Sequence, residues 1–548
     1  MRFSKAMKNR FILTLIIALS FFLRIYKITS IPPSLNWDET SIGYNAYSIM
    51  LTGKDEWGEF VPLHFKSFGE YKLPAQIYAS IPGIYFFGLN ELGVRITPVV
   101  YGTLTVLLLY LLLQRLYNLR PISLIGTFLL AISPWHIQLT RASFESSFSL
   151  FWFLMAIWFL IKGFKKPKWL VISTIPFVIS VYTYNTARVF TPLFLFVFYL
   201  INYKFMLKNF KYALFGFLTF VALAIPIIPF VISGDAAARY KLVSITDDKG
   251  LVPRIEERRN LSKLPPSLTK LIHNRYTYNT YYFSKNYLAH FTPSFLFLDG
   301  AGHKQHHVQG VGELYWIQAP FLIYGLYLLI KRKDRSLKIL LPWLLLAFVP
   351  VSMTNDSIPN ALRTLIAVPV YQIFSAVGIF EFFKFKRYKK IILSLSVILF
   401  IVNFYMFAIN LYILYPIRYS KDWQYGNSQV VEYIKNNQDK YDLVVYTRSY
   451  GEPHIFTLFN LKYDPAKYQN SPNLNRFETF DWVRVLKFDK YYFPDLGDKG
   501  TKYEDIVRAN PDTKILFVGK SGDFPESAII LERINFLNGE EAFEITTN

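Results

Sequence analysis

The apolar residues of this chain come in blocks of bilayer-crossing length, joined by short loops rich in Lys and Arg. Inside a bilayer the backbone has no water to bond to, so a spanning segment that is not part of a closed barrel must be a helix. Blocks at 11–28, 94–114, 121–134, 144–162, 168–184, 188–203, 211–233, 314–330, 336–353, 360–383 and 391–415 predict eleven crossings. The expected fold is a polytopic α-helical membrane protein of about 11–13 transmembrane helices with a small C-terminal α/β domain.

The net charge of +22 raises nucleic acid as a partner, and the placement of the charge answers it. If the N-terminus is cytoplasmic, it and alternate loops carry 23 Lys and Arg against Asp334 and Glu381, which leaves +21 on one side. That asymmetry is the positive-inside pattern, and no nucleic acid is needed to explain it. The first block follows Met-Arg-Phe-Ser-Lys and precedes no small-residue cleavage site, so it is expected to stay as a helix. Arg24 and Lys27, near its far end, run against the charge pattern and are expected to snorkel or to serve a site. The pattern holds only if the short apolar stretch 75–88, with Pro82-Gly83, lies at the interface or re-enters without crossing. Cysteine is absent, which removes disulfides and thiolate metal sites.

This topology puts 29–74 and 234–313 in outer loops and divides the chain into a transmembrane domain, 1–415, and an extracytoplasmic domain, 416–548. In the latter, 429–437 and 452–461 read as helices and 441–447 and 514–518 as strands. The loop 234–313 is too long for a connector, and its charge cluster at 254–259 and its tyrosines at 276–282 point to short surface helices.

Five groups fall on the predicted outer face: Asn36-Trp37-Asp38-Glu39; Gly69-Glu70-Tyr71-Lys72-Leu73-Pro74; Ser133-Pro134-Trp135-His136 on to Arg141 and Glu145; Tyr182 to Arg188 with Tyr184; and Asn355 to Arg363. Transfer from a lipid-linked phosphate needs this combination. A carboxylate takes the proton of an attacking hydroxyl. Cations such as Lys72, Arg141, Arg188 and Arg363 hold the departing phosphate, and aromatics such as Tyr71 and Tyr184 line the approach. Each member also has an ordinary structural reading. Asp38 fits the N-cap of a helix over 40–51, the cations fit snorkelling anchors at span ends, and the aromatics fit an interfacial belt. His303, His306 and His307, in a Gly-rich loop, read as loop contacts ahead of a metal site.

Taken in order, these motifs resemble the C-type membrane glycosyltransferases, in the branch of the protein O-mannosyltransferases and the aminoarabinose transferases that act on lipid A. The resemblance covers about residues 10–385. It rests on Asp38-Glu39 after the first span, Tyr71-Lys72-Leu73-Pro74 like the family's Lys-Pro-Pro, the 91–98 stretch like its Arg-Leu-Pro-Ser, and Arg363 before a Pro-bearing span. It implies a glycosyltransferase that moves a sugar, with inversion, from a polyprenyl-phosphate donor to a protein, lipid or glycan acceptor on the extracytoplasmic face of the cell membrane. Asp38 would be the general base and Lys72 a phosphate contact. Arg141 would lie near the donor phosphate, and Glu39 and Glu70 would position substrate or a divalent ion. Glu145, Tyr184, Arg188 and Arg363 complete the expected substrate contacts. Leu73 replaces the first proline of Lys-Pro-Pro, and the tail is unlike the carbohydrate-binding insert of the eukaryotic enzymes, so the acceptor does not carry over. The competing function is a transporter or flippase of lipid-linked sugars. Such proteins place ionisable groups near mid-membrane, whereas charges here crowd the predicted outer boundary.

Overall fold

The computed structural model describes residues 5–69, 71–232, 240, 243–384, 389–479, 482–497 and 500–548. Its contacts separate two compact units. The first comprises Met1–Arg24, Val100–Thr140 and Glu145–Phe407, and the second Ile25–Val99, Arg141–Phe144 and Ala408–Asn548.

The first unit is helical. Among the described residues, five helices are long and apolar enough to cross a bilayer: Glu91–Tyr117, Glu145–Gly163, Phe210–Phe230, Ala361–Phe382 and Lys390–Arg418. Five shorter apolar helices, Arg120–Ala131, Lys168–Val181, Asn185–Ile201, Trp316–Lys331 and Leu337–Ser352, coincide with further predicted blocks. The eleventh block is helix α1, Lys5–Ile25, whose ends carry Lys5, Lys8, Arg10 and Arg24. Close packing in this unit depends on absent side chains. A Cβ on Gly325 would lie 1.9 Å from the Phe374 carbonyl oxygen, and one on Gly378 would lie 1.8 Å from that of Phe321. Within 234–313 the expected surface helices are present at Leu251–Leu261, Pro266–Ile272 and Arg275–Ala289.

The second unit joins the chain's early loop to its tail. It contains α2, Trp37–Thr52; the two-residue strands β1, Phe65–Lys66, and β2, Tyr71–Lys72; α3, Pro74–Phe87; and the first turns of α4, Glu91–Tyr117. The tail adds β3, Leu443–Tyr446; β4, Asn475–Glu478; β5, Val483–Phe488; β6, Tyr491–Tyr492; β7, Ile515–Gly519; β8, Ile530–Asn535; and β9, Glu541–Thr547. These form a seven-stranded sheet in the order β4-β5-β6-β3-β7-β9-β8. The pairs β6/β3 and β3/β7 are parallel and the others antiparallel.

The stretch 75–88 is helix α3; its 14 residues reach only about 21 Å at ~1.5 Å per residue, against a hydrocarbon core of ~30 Å. The boundary set at 415/416 falls inside the second unit. One core of that unit combines Ile42, Tyr44, Ile77 and Val94 with Val444, Phe459, Leu516 and Ile545, and a smaller cluster of Val445, Leu496, Ile506, Ile515 and Phe517 lies wholly within the tail. Gly43 allows a close approach in the first of these: a Cβ there would lie 2.6 Å from Val94 Cγ2 and 2.7 Å from the Phe459 ring.

Candidate active site

The start of α2 decides where Asp38 points. Asn36 is the N-cap, in extended backbone, and its side-chain oxygen accepts the Glu39 N–H at 2.9 Å. Asp38 therefore lies inside the first turn and is not the cap, which removes the structural reading that competed with a chemical role. Negative charge is favoured at this end of a helix. One Asp38 oxygen accepts from Lys72 Nζ at 2.5 Å; the lysine side chain is 2% exposed and that of Asp38 39%. The other oxygen makes no hydrogen bond among the described residues. Lys72 is brought there by the β1/β2 pairing, in which it faces Phe65 across the ladder. Glu70 lies outside the described residues. Tyr71 is half-buried, with its ring edge-on to His64 at 5.7 Å.

Glu39 turns inward, away from its part-exposed neighbour. It is fully buried, its two oxygens accept from Arg95 Nε and Nη2 at 3.0 and 2.9 Å, and the Ser143 N–H adds a third bond at 2.9 Å. The remaining donors of Arg95 bond the carbonyls of Ile28, Pro32 and Ser34 at 3.0, 2.8 and 2.5 Å. Arg141, also buried, donates to the carbonyls of Tyr26 and Ile31 at 2.8 and 2.7 Å and faces the Tyr412 ring at 5.2 Å. Two arginines thus tie down the irregular segment 26–34 that delivers the chain to α2, satisfying backbone groups that have no ladder or helix partner. The structure commits Glu39 and Arg141 to this internal scaffold.

Arg24 does not snorkel. It is buried and bonds Thr140 Oγ1 at 2.9 Å, the Ser20 carbonyl at 2.8 Å and His136 Nδ1 at 2.7 Å. A guanidinium only donates, so His136 Nδ1 accepts and the ring proton sits on Nε2. The other expected residues belong to the first unit. Glu145 and Tyr184 are half-buried at helix starts. Arg188 lies over the Phe230 ring at 5.0 Å, and Arg363 pairs with Asp356 at 2.6 Å.

Sequence reading missed the tail's share in the surroundings of Asp38. The Trp37 N–H bonds Gln424 Oε1 at 2.8 Å. Its ring packs edge-on to Trp482 at 5.9 Å and against Phe68 at 6.1 Å, while Trp482 stacks on Phe68 at 6.4 Å. Glu452 accepts the Trp482 indole N–H at 2.5 Å, and Gly451, at φ +122°, has the Trp37 ring where a side chain would go. Long-range pairing of this kind has no local signal; only the Gly451-Glu452-Pro453-His454 cluster hints at it.

Among the described residues the donor set does not suit a divalent ion. Each carboxylate of the Asp38-Glu39 pair already faces a cation, Lys72 or Arg95. Among the described residues no group of three or more His, Asp and Glu is arranged to hold a metal. His307 is bound into its own loop, between Glu313 Oε1 at 2.9 Å and the Val311 carbonyl at 2.7 Å.

The family described as dolichyl-phosphate-mannose-protein mannosyltransferase matches residues 78–230. ArnT from Cupriavidus metallidurans, solved bound to undecaprenyl phosphate, superposes with a TM-score of 0.59 over 99% of this chain and 98% of that one, at 10% identity. The chain has the fold of the C-type membrane glycosyltransferases. AglB from Archaeoglobus fulgidus, an archaeal oligosaccharyltransferase solved with an inhibitory peptide and a dolichol-phosphate, agrees at a TM-score of 0.50, with 14% identity over 83% of this chain and 64% of that one. In sequence, the chain is 33% identical over 150 residues to dolichyl-phosphooligosaccharide-protein glycotransferase 2 of Pyrococcus horikoshii, which is 26% of the chain and 19% of the relative. It is 26% identical over 197 residues to the putative mannosyltransferase YkcB of Bacillus subtilis, or 35% of the chain and 26% of the relative. The chain thus spans only about a fifth to a quarter of the length of the curated relatives it matches.

Proposed function

We propose that the protein is an integral-membrane glycosyltransferase that moves a sugar from a polyprenyl-phosphate donor to an acceptor hydroxyl, with Asp38 as general base. The observation that carries this reading is the Asp38 carboxylate. It is part-exposed at a helix start, held at one oxygen by a buried lysine and open at the other. The open oxygen takes the hydroxyl proton as the hydroxyl oxygen attacks the anomeric carbon from the face opposite the phosphate. The new C–O bond forms, the C–O bond to phosphate breaks, and polyprenyl phosphate leaves with the bonding pair, so the anomeric carbon inverts. Lys72 fixes the carboxylate and is a candidate contact for the phosphate charge that grows at departure. Glu39, Arg95 and Arg141 are positioning residues: they hold segment 26–34 and the first turn of α2, and precise placement of the base is worth a large part of a transfer barrier. Trp37, Phe68 and Trp482 offer an apolar wall beside Asp38 for a sugar ring. In this reading the loops 29–74 and 234–313 and the sheet of the tail lie on the extracytoplasmic side of the cell membrane. The fold shared with a protein that was solved holding undecaprenyl phosphate supports the donor class.

The test incubates purified protein with a panel of polyprenyl-phosphate sugars and candidate acceptors and follows free polyprenyl phosphate by mass spectrometry. Release by the wild type and its loss in Asp38→Asn, with unchanged thermal unfolding, is the expected result. Substantial turnover by Asp38→Asn would remove the residue from catalysis. Flux of lipid-linked sugar across proteoliposomes with no covalent transfer would replace the enzyme with a flippase.

A further inference from the structure

The helices at 251–289, all within the first unit, present a surface that water does not suit. Leu261, Leu264, Leu268, Leu271 and Ile272 are 43–69% exposed and Tyr276 85%. Leu268, Leu271 and Ile272 share one face of the helix Pro266–Ile272 by their spacing. Exposed leucines on the long apolar helices face lipid in the ordinary way, but these lie in a polar loop, where a contiguous apolar patch marks a contact. The same segment holds seven Lys and Arg against Glu256 and Glu257. That surplus lies outside the loops that account for the positive-inside pattern. Arg258, Lys263 and Lys270 are exposed and make no ion pair among the described residues.

The base of this hairpin is fixed to the end of an apolar helix. The Tyr287 hydroxyl donates to the Leu345 carbonyl at 2.9 Å and Asn286 Nδ2 to that of Thr354 at 2.7 Å. Phe348 packs against Phe291 at 4.8 Å and against His290 at 5.3 Å. Leu345 and Phe348 lie toward the C-terminal end of the apolar helix Leu337–Ser352. If that helix crosses the bilayer, the hairpin starts at the depth of the lipid headgroups.

We infer that the 251–289 hairpin lies in the membrane interface, with its Leu and Tyr face at the acyl boundary and Arg258, Lys263 and Lys270 on the phosphates of anionic lipids. Basic and large apolar residues interleave along one short run, which is the pattern of interfacial helices. The core of a protein–protein contact is, in contrast, depleted of lysine. Each Lys or Arg at the surface of an anionic leaflet adds to the attraction. The inference is independent of the transfer chemistry, since no residue of the candidate active site takes part.

The chain has no cysteine, so single-cysteine variants can each carry one nitroxide without background. Full-length Leu271→Cys and Tyr276→Cys, with Glu257→Cys as the aqueous control, are labelled in nanodiscs of phosphatidylcholine with or without phosphatidylglycerol. All three positions are exposed, and thermal unfolding checks that each variant is folded. Power-saturation electron paramagnetic resonance should show oxygen outrunning a water-soluble nickel chelate at 271 and 276, and the reverse at 257. The immersion should weaken when phosphatidylglycerol is omitted and when Lys263→Gln and Lys270→Gln are added. Labels at 271 and 276 open to the nickel chelate in both lipids would overturn the inference. Shielding from both reagents would also overturn it, because a protein surface would then cover the patch. Immersion indifferent to phosphatidylglycerol and to the lysines would overturn the assignment to anionic headgroups.

Discussion

Replacing Arg95 with methionine is expected to unfold the second unit well before it touches any chemistry. The guanidinium and Glu39 are both fully buried, and two charge-assisted hydrogen bonds join them at 2.9–3.0 Å. Removing one partner of a buried pair leaves an uncompensated charge, at a cost of about 3–5 kcal/mol. Methionine also strands the carbonyls of Ile28, Pro32 and Ser34, each worth up to ~1–3 kcal/mol if water does not replace the donor. A loss of about 4 kcal/mol is the conservative expectation. For a unit of this size that lowers the unfolding midpoint by about 10 °C, at ~2–4 °C per kcal/mol. The assay is thermal unfolding followed by tryptophan fluorescence, with Glu39→Leu and the double variant completing a cycle. Because the pair is self-contained, Arg95→Met/Glu39→Leu should be more stable than the sum of the single losses by about 2 kcal/mol or more. A midpoint for Arg95→Met within ~2 °C of the wild type, or strictly additive losses, would refute the view that this pair holds the entry to α2.

Two further outcomes follow from the packing and the charges. Gly43→Val should destabilise the second unit by roughly 2 kcal/mol or more, because its first methyl-equivalent atom already overlaps Val94 and the Phe459 ring; chemical denaturation would measure it, and Val94→Ala should partly restore the loss. In the loop 299–313, burial works against a charged His307, but Glu313 and the Val311 carbonyl outweigh it and raise its pKa above the ordinary histidine value. The stability this adds is complete below the unfolded value of about 6.5 and is lost as pH rises through the folded value. Amide exchange across 300–313, corrected for intrinsic base catalysis, should accelerate over that rise in the wild type; a pH-independent protection would refute the charged pair.

Much of the fold is legible in the sequence because its causes are local. Every predicted block overlaps a helix, since hydrophobic length acts residue by residue. In the tail, the strands at 441–447 and 514–518 and both helices are found within a few residues of their expected bounds. The strands β4 and β6 escaped notice because one is largely polar and the other only two residues long. The hairpin β8/β9 was missed as well, although Asn538-Gly539, with Gly539 at φ +89°, is a local turn signal.

Asp38, Lys72 and Arg141 stand out in the sequence alone because ionisable residues beside apolar blocks are costly unless they have a task. What these residues do with one another is a matter of tertiary structure. Asp38 and Glu39 are adjacent in the chain, yet successive helix positions point about 100° apart. One carboxylate therefore reaches Lys72 and stays part-exposed, while the other turns inward to Arg95 and is lost to solvent. The composition determined that the chain is helical, apolar and charge-sorted. Contacts between residues hundreds of positions apart, such as Trp37 with Trp482, decided that the early loop and the tail share one core, because burial of a sheet face requires a partner and no local pattern names it.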